Sequence, residues 1–148
     1  MKVVLQKVSQ ASVSVDQQVI ANVGLGLMLL VGVKTGDTEK DADYLANKIS
    51  KMRIFEDSED KMNLSVHDVK GEVLSISQFT LLANTKKGNR PSFTEAAKPD
   101  EATALYDYFN EKLRETGLSV SEGQFGAHMA VSLVNDGPVT IVLDSENK

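Results

Sequence analysis

Two short segments carry the residue types with which this chain could do chemistry. The first, Asn135-Asp136-Gly137-Pro138, stands between two runs rich in valine, isoleucine and leucine. Proline lacks a backbone N–H and fixes φ, while glycine adopts backbone angles that other residues avoid. The pair therefore exposes main-chain carbonyl oxygens, and an X-Pro bond is the only peptide bond that is cis with any frequency. On turn chemistry alone, an ordinary hairpin turn between two strands is the simpler interpretation.

The second segment, Ser77-Gln78-Phe79-Thr80-Leu81, ends an apolar strand. The hydroxyl of Thr80 is a candidate nucleophile, but a threonine nucleophile needs an activating base. No histidine, lysine, aspartate or glutamate lies between residues 75 and 82, and neither His67 nor His128 sits in a recognisable motif. A serine-histidine-aspartate triad stays open as an alternative, because its members meet only in the folded protein.

Alternating and continuous apolar patterns predict the elements that must position these segments. The run Leu27–Val31 is apolar on both faces, which favours a central strand over a short buried helix. Residues 145–148 are predicted to be a frayed tail. The charged stretch 55–63 is predicted to be a solvated loop rather than a cation site, because its spacing fits no calcium-binding loop. Strands are expected at 3–15, 19–23, 27–31, 73–80, 119–125, 129–135 and 139–143, and helices at about 38–52 and from Pro99 to Gly117.

The element order, strands interrupted by two helices, is typical of an α+β fold with mixed sheets and helices packed on them. A chain of 148 residues suits one domain spanning residues 1–148. It has no cysteine and two histidines, so disulfides and a cysteine nucleophile are excluded and a metal site is not expected. A net charge of −5 argues against coating nucleic acid at large but leaves room for a local basic patch. With neither a signal peptide nor an apolar run of membrane-spanning length, the expected location is the cytoplasm.

Taken together, the two segments and the intervening Gly88-Asn89-Arg90-Pro91-Ser92-Phe93 resemble the D-aminoacyl-tRNA deacylases. In that family an S-Q-F-T-L segment and an N-D-G-P-V-T segment form the active site. The resemblance runs from Met1 to about Leu143 with matching lengths between the motifs. It implies a β-rich, barrel-like core with two helices, assembled as a homodimer, and an enzyme that needs no cofactor.

The resemblance also implies the reaction, which is hydrolysis of the ester that links a D-amino acid to tRNA. Such an ester is already labile, so oxyanion stabilisation and alignment of water suffice. Main-chain N–H groups of Phe79 and Thr80 are suitable donors, and Ser77 and Gln78 add polar contacts. The neighbouring 2′-hydroxyl of the terminal adenosine is thought to assist. We favour this positioning mechanism over a Thr80 nucleophile.

In the family, a cis Gly-Pro pair from one subunit enters the active site of the other. On this chain Gly137 and Pro138 would present both carbonyl oxygens to the substrate ammonium group and exclude an L side chain. Glycine has no side chain to exclude, so glycyl-tRNA mischarged on tRNA-Ala is expected to be hydrolysed as well.

The acceptor end of tRNA is the expected partner, and neither a membrane nor DNA is expected. The loop that carries Lys86, Lys87 and Arg90 is the most basic in the chain and is predicted to contact phosphates, with a merely solvated loop as the alternative. Lys7 occupies a position where the family often has arginine. Lysine keeps the positive charge but cannot form the bidentate hydrogen bonds that an arginine side chain forms. Phe79 is a candidate to stack on adenine, whereas Phe93 is predicted to be core.

Two other functions remain open from the sequence. One is a non-catalytic RNA- or protein-binding module on the same scaffold, because a fold does not fix a function. The other is a small-molecule esterase with a serine or threonine nucleophile. The intact S-Q-F-T-L and N-D-G-P-V-T segments favour the deacylase over both.

Overall fold

A computed structural model describes residues 1–148 as a mixed α+β fold with two helices and a nearly closed, barrel-like sheet. No helix is long and apolar enough to cross a membrane. The eight strands are β1 (Lys2–Val15), β2 (Gln18–Val23), β3 (Gly26–Gly32), β4 (Phe55–Glu56), β5 (Met62–Leu64), β6 (Glu72–Ser77), β7 (Val120–Glu122) and β8 (Ala130–Asp144). The helices are α1 (Glu39–Lys51) and α2 (Pro99–Glu115), and a short 3-10 turn covers Phe79–Leu82.

The main sheet is built around β3, which confirms the prediction of a doubly covered central strand. The strand order is β2-β1-β3-β6-β7, and β8 pairs with β1. β3 runs antiparallel to β1 and parallel to β6. Its Leu27, Leu29 and Val31 enter the large core beneath the helices, while Met28 enters a smaller core on the opposite face. Burial on both faces explains why this strand is a continuous apolar run.

The two helices begin where the sequence predicts. Thr38 and Asp41 form a capping box at the start of α1, in which Asp41 Oδ2 accepts the N–H of Thr38 at 2.8 Å. Pro99 is the first residue of α2, a position where its missing N–H costs no hydrogen bond. After α2, Gly117 adopts a φ of +102° and donates its N–H to Arg114 O at 2.9 Å, which ends the helix.

The two apolar runs around Asn135-Asp136-Gly137-Pro138 do not form a hairpin, and that expectation is wrong. Both runs belong to β8, which lies antiparallel along almost the whole of β1. Pairing passes from Gln6 with Thr140 to Val8 with Asn135, so residues 136–139 bulge out opposite Lys7 alone. The runs have the same partner strand, and hydrogen bonds to β1 replace those that a hairpin would make between them.

Several predicted boundaries also differ. β6 ends at Ser77, because the chain turns into the 3-10 turn before Thr80. β7 is shorter than the predicted strand 119–125, and part of the predicted loop 55–63 pairs as the β4–β5 hairpin. The predicted frayed tail is fixed at Ser145, which is buried and donates its N–H to Met1 O at 2.9 Å.

Candidate active site

The Ser77–Thr80 segment is held at the end of β6 by main-chain hydrogen bonds. The N–H of Gln78 donates to Val31 O on the neighbouring β3 at 2.7 Å. The N–H of Leu81 donates to Gln78 O at 3.3 Å and is the first donor of the 3-10 turn. The N–H groups of Phe79 and Thr80 precede that donor, so the turn itself offers them no acceptor. They are the main-chain donors at this end of the sheet.

The hydroxyl of Thr80 has no activating base. Its recorded hydrogen bond comes from Nε2 of Gln78, and no histidine, lysine or carboxylate is bonded to it. Thr80 is exposed, whereas Ser77 and Gln78 are half-buried. The segment therefore has main-chain donors and neutral polar side chains, but no proton acceptor of the kind a nucleophilic threonine needs.

A largely apolar pocket of about 260 Å³ opens beside this segment. Ser77 and Gln78 give the lining polar groups where it meets the segment, and the Phe79 ring adjoins them. Its remaining walls come from the ends of β3 and β6, from α2 and from the stretch that enters β8. These residues are Val31, Val33, Ile76, Ala102, Tyr106, Phe125, Gly126, Ala127, His128, Met129 and Val131.

The basic residues lie on a loop that is joined to the pocket through two aromatic rings. Main-chain hydrogen bonds between Asn84 and Ser92, of 2.8 and 3.0 Å, close the loop 84–92. The next residue, Phe93, meets Phe79 edge to face with 5.1 Å between ring centroids. Phe79 is 58% exposed and Phe93 is half-buried outside both cores, so the prediction that Phe93 is core is wrong.

This basic loop presents its three cations freely. Lys86, Lys87 and Arg90 are all exposed, and none of them forms a salt bridge. No carboxylate is paired with any of them, so their positive charges are available to an anionic partner.

The bulge between the two halves of β8, here called the Gly-Pro loop (residues 135–140), is closed by its own side chains. The amide of Asn135 donates to Thr140 Oγ1 at 2.9 Å and accepts the N–H of Val139 at 3.0 Å. Val139 is buried in the large core and anchors the loop. Gly137 and Pro138 are exposed and are joined by a cis peptide bond, as the resemblance implied. Gly137 has a φ of +137°, a conformation that other residues rarely adopt.

Lys7 lies beneath the Gly-Pro loop rather than on the surface. Only 8% of its side chain is exposed; the ammonium group is 3.9 Å from Asp136 Oδ2 and 5.7 Å from the ring centre of Phe55. A cation that is buried in this way and paired within its own chain is not placed for contact with a phosphate. Of its two neighbours, Asp136 directly precedes Gly137 in the Gly-Pro loop.

The Ser77–Thr80 segment and the Gly-Pro loop do not meet within one chain. No residue of the loop lines the pocket. β8 leaves the pocket at Val131, and an extended strand covers roughly 13 Å between that residue and Asn135, where the loop begins. The structure thus brings Ser77, Gln78 and Phe79 to one site and leaves Gly137 and Pro138 at another.

Sequence reasoning missed several residues of these sites. His128 and Tyr106 line the pocket from elements far away in the chain, so no local pattern could have identified them. His128 is exposed and is bonded neither to a carboxylate nor to Ser77, so the triad alternative lacks its geometry here. Asn135 and Thr140 could have been found, because asparagine commonly bonds the backbone of a turn.

Comparisons with known proteins agree with this picture. The family model described as D-Tyr-tRNA(Tyr) deacylase matches residues 4–144. The chain is 58% identical over 146 residues to the D-aminoacyl-tRNA deacylases of Bacillus mycoides (strain KBAB4) and Bacillus cereus (strain G9842). Each alignment covers 99% of this chain and 100% of the relative.

Two solved structures share the fold. A c-Myc DNA Unwinding Element Binding Protein superposes with a TM-score of 0.91 at 42% identity, covering 97% of this chain and 98% of that one. A structure described as a probable eukaryotic D-amino acid tRNA deacylase gives a TM-score of 0.82 at 18% identity, covering 96% of this chain and 97% of that one. The second likeness concerns the fold alone. The match of the family model over nearly the whole chain, with the close relatives, shows that this chain belongs to the D-aminoacyl-tRNA deacylase family, hydrolases that act on ester bonds.

Proposed function

We propose that this chain hydrolyses D-aminoacyl-tRNA by positioning its ester rather than by forming a covalent intermediate. The observation that carries the proposal is the arrangement at Thr80. Its hydroxyl lacks a base, while the N–H groups of Phe79 and Thr80 stand unbonded at the start of the 3-10 turn. Two main-chain donors at the pocket edge can stabilise the oxyanion that forms when water attacks an ester.

The pocket suits the terminal adenosine of tRNA. Its volume of about 260 Å³ and its apolar walls favour a flat, weakly polar ring. Phe79, which is mostly exposed, offers a face for stacking. The adenosine would then bring its esterified ribose to the polar side of the pocket, next to Ser77 and Gln78.

Chirality in this proposal is read by Gly137 and Pro138 of a second subunit. The exposed loop lies too far from its own pocket to touch a substrate there, so an intermolecular arrangement is needed. Main-chain oxygens accept hydrogen bonds from an ammonium group without regard to the amino-acid side chain. A filter of this kind excludes an L side chain by contact, so it rejects glycine poorly and glycyl-tRNA mischarged on tRNA-Ala is a second substrate.

The acceptor stem is bound in this proposal by Lys86, Lys87 and Arg90. All three are exposed without a carboxylate partner, and their loop is tied to Phe79 through Phe93. A few such cations suffice to orient a phosphate backbone. The loop would therefore guide the terminal adenosine toward the pocket.

Hydrolysis of matched D- and L-aminoacyl-tRNA by the purified protein tests the reaction and its chirality together. We expect rapid release of the D-amino acid, no release of the L enantiomer, and hydrolysis of glycyl-tRNA. A covalent serine-hydrolase probe separates the mechanisms, because a positioning enzyme has no activated hydroxyl to label. Equal hydrolysis of both enantiomers would contradict the filter, and stoichiometric labelling would identify a nucleophilic esterase. Absence of hydrolysis with retained tRNA binding would support a binding module.

A further inference from the structure

Tyr106 on α2 contributes to the pocket in two ways. Its ring is 2% exposed and forms part of the pocket wall beside Phe125, with 6.1 Å between their ring centres. Its hydroxyl passes beneath that wall and donates a hydrogen bond to Ser75 O at 2.7 Å, in the interior. Burial raises the pKa of Tyr106 to about 12. Tyr106 is therefore a neutral donor at neutral pH.

The carbonyl oxygen of Ser75 accepts hydrogen bonds that connect three parts of the fold. It accepts the Tyr106 hydroxyl from α2 and also the N–H of Gly123, which follows β7, at 3.2 Å. Ser75 belongs to β6 and directly precedes Ile76, the first residue of this strand that lines the pocket. Whatever holds this carbonyl therefore limits the movement of the strand end that carries Ser77, Gln78 and Phe79.

The surroundings of the Tyr106 hydroxyl are polar in a way that stability does not explain. Asn110 follows Tyr106 by one helical turn, is fully buried, and makes no hydrogen bond to the protein with either polar atom of its side chain. The hydroxyl of Ser75 is likewise buried and unbonded. Each buried polar group without a partner destabilises the folded state, and an apolar side chain of the same size would avoid that cost. Their presence at this point indicates a task other than packing.

We infer that Tyr106 and Asn110 form a positioning pair that fixes the end of β6, and with it the Ser77–Thr80 segment, for deacylation. The hydroxyl of Tyr106 holds the strand end, and the Asn110 amide keeps the surroundings of that hydroxyl polar. Neither residue is catalytic, because neither touches the expected position of the ester. The expected effect of this pair on the rate of deacylation rests on the proposed function. Its expected effect on the mobility of the β6 end does not.

Tyr106→Phe tests the pair, because it removes one oxygen and preserves the ring in the pocket wall. Tyr108→Phe on the same helix is the matched control, since the Tyr108 hydroxyl donates to Asp43 Oδ1 at 2.7 Å on the exposed side of the molecule. We expect Tyr106→Phe to accelerate amide hydrogen exchange in residues 73–82 and to lower kcat by about tenfold with KM unchanged. Tyr108→Phe should change neither quantity.

Asn110→Leu provides a second test with a readout that a purely structural role would not give. Replacing an unbonded buried amide by an apolar group of similar size should raise Tm. If the positioning pair is correct, deacylation should nevertheless be slower and amide hydrogen exchange in residues 73–82 should be faster. Stability and activity would then change in opposite directions.

These outcomes separate the inference from the proposed function. Unchanged exchange in residues 73–82 of Tyr106→Phe, or a loss of activity no larger than in Tyr108→Phe, would overturn the positioning pair. A parallel loss of Tm and activity in Asn110→Leu would do the same. If the unmodified protein fails to hydrolyse D-aminoacyl-tRNA while the exchange results appear as expected, the proposed function fails and the structural role of the pair stands.

Discussion

At the residue scale, Thr80 is the side chain that most invites comparison with nucleophilic hydrolases, because its hydroxyl lies beside the pocket segment Ser77–Phe79. In the folded chain, however, Thr80 Oγ1 accepts a hydrogen bond from Gln78 and meets no base. The two main-chain N–H groups next to it are the stronger electrostatic feature, because they are fixed by the turn and need no proton transfer.

Thr80→Ala should therefore keep most of the activity. We expect kcat/KM on D-aminoacyl-tRNA to fall by about tenfold or less, since the N–H of residue 80 remains and only a side-chain contact is lost. The measurement is single-turnover release of the amino acid, with circular dichroism as the check on folding. A fall of about 10⁴-fold in a folded variant would instead assign Thr80 as the nucleophile.

Gly137→Ala should impair the chiral filter. A Cβ at this position would lie 2.8 Å from Val139 Cγ2 and 3.1 Å from Val139 N, and the φ of +137° is unfavourable for alanine. Because Val139 is buried, we expect the Gly-Pro loop to shift while Val139 keeps its position. We expect D-aminoacyl hydrolysis to fall by at least about tenfold while tRNA binding is retained.

Gly36→Ala is the control for that change, because Gly36 also has a positive φ, of +93°, but a Cβ there would meet nothing within 4 Å. It should lose about 1 kcal/mol of stability and no activity. Equal activity losses in both variants would indicate that backbone strain, rather than the position of the Gly-Pro loop, is responsible.

Single residues were only partly predictable from the sequence. Ser77, Gln78, Phe79, Gly137 and Pro138 stand in contiguous motifs, so the sequence alone proposes them as site residues. Tyr106 and His128 reach the pocket only through the fold, and nothing in their local sequence indicates it. Lys7 is a third case: a lysine in a strand is usually exposed, yet this one is buried against Phe55 and Asp136.

At the element scale, the approach of the 3-10 turn to β3 positions the main-chain donors. Gly32 ends β3, and a Cβ there would lie 3.1 Å from Gln78 O and 2.7 Å from Leu82 Cδ2. Gly32→Ala should therefore push the turn away from the sheet. We expect a loss of about 1–3 kcal/mol in the free energy of unfolding, and a loss of kcat larger than this destabilisation explains at a temperature where the variant is folded.

Gly24→Ala serves as the comparison for Gly32→Ala. A Cβ at Gly24 would make an ordinary contact of 3.8 Å with Glu72 Oε2, and this position lies at the other end of β3. Its unfolding free energy and kcat should stay close to those of the unmodified protein. If Gly32→Ala is destabilised but fully active, the close approach of the turn matters for folding only.

The basic loop is the second element with a measurable role. Lys86→Ala combined with Lys87→Ala should weaken tRNA binding and reduce the slope of log K against log salt by about one to two, because each phosphate contact releases a counterion. The preference for D over L substrates should not change. Filter binding across a salt series gives the slope.

The matched double variant is Lys40→Ala with Lys51→Ala. It also removes two positive charges, but from exposed positions on α1. This control separates a local contact from the effect of net charge. Identical salt slopes for the two double variants would return the basic loop to a merely solvated role. Duplex DNA in the same assay shows whether the loop distinguishes tRNA from other polyanions.

Elements were predicted better than their connections. Helix starts, the Thr38–Asp41 capping box and the central β3 follow from local patterns, and the structure agrees. The bulge at residues 136–139 does not follow from local patterns. Asparagine, glycine and proline between two apolar runs are equally typical of a hairpin turn. Only the presence of β1 as a partner for both runs makes them one strand, and that partner lies more than a hundred residues away in the chain.

At the scale of the whole molecule, the composition predicts little of the function. A net charge of −5 gives no hint of an RNA substrate, and the cations proposed to bind it lie on one loop. The sequence resemblance identified the family because two motifs occur in order over nearly the whole chain. The sheet topology then explains why those motifs do not meet within one chain, because β1 and β3 lie between β6 and β8.

The separation of the two motifs within one chain predicts a dimer. If the Gly-Pro loop of one subunit completes the pocket of another, the active species must be a dimer, and sedimentation at assay concentrations should give about twice the chain mass of 16.1 kDa. Val142 is 69% exposed on β8 beyond the loop, which makes it a candidate interface residue. Val142→Lys should dissociate the dimer and abolish D-aminoacyl hydrolysis although every motif residue is present. Val19→Lys, at a 58% exposed valine on β2, should do neither. A monomeric Val142→Lys protein with full activity and intact chiral preference would remove the second subunit from the mechanism, and the filter would then have to lie among the residues of a single pocket.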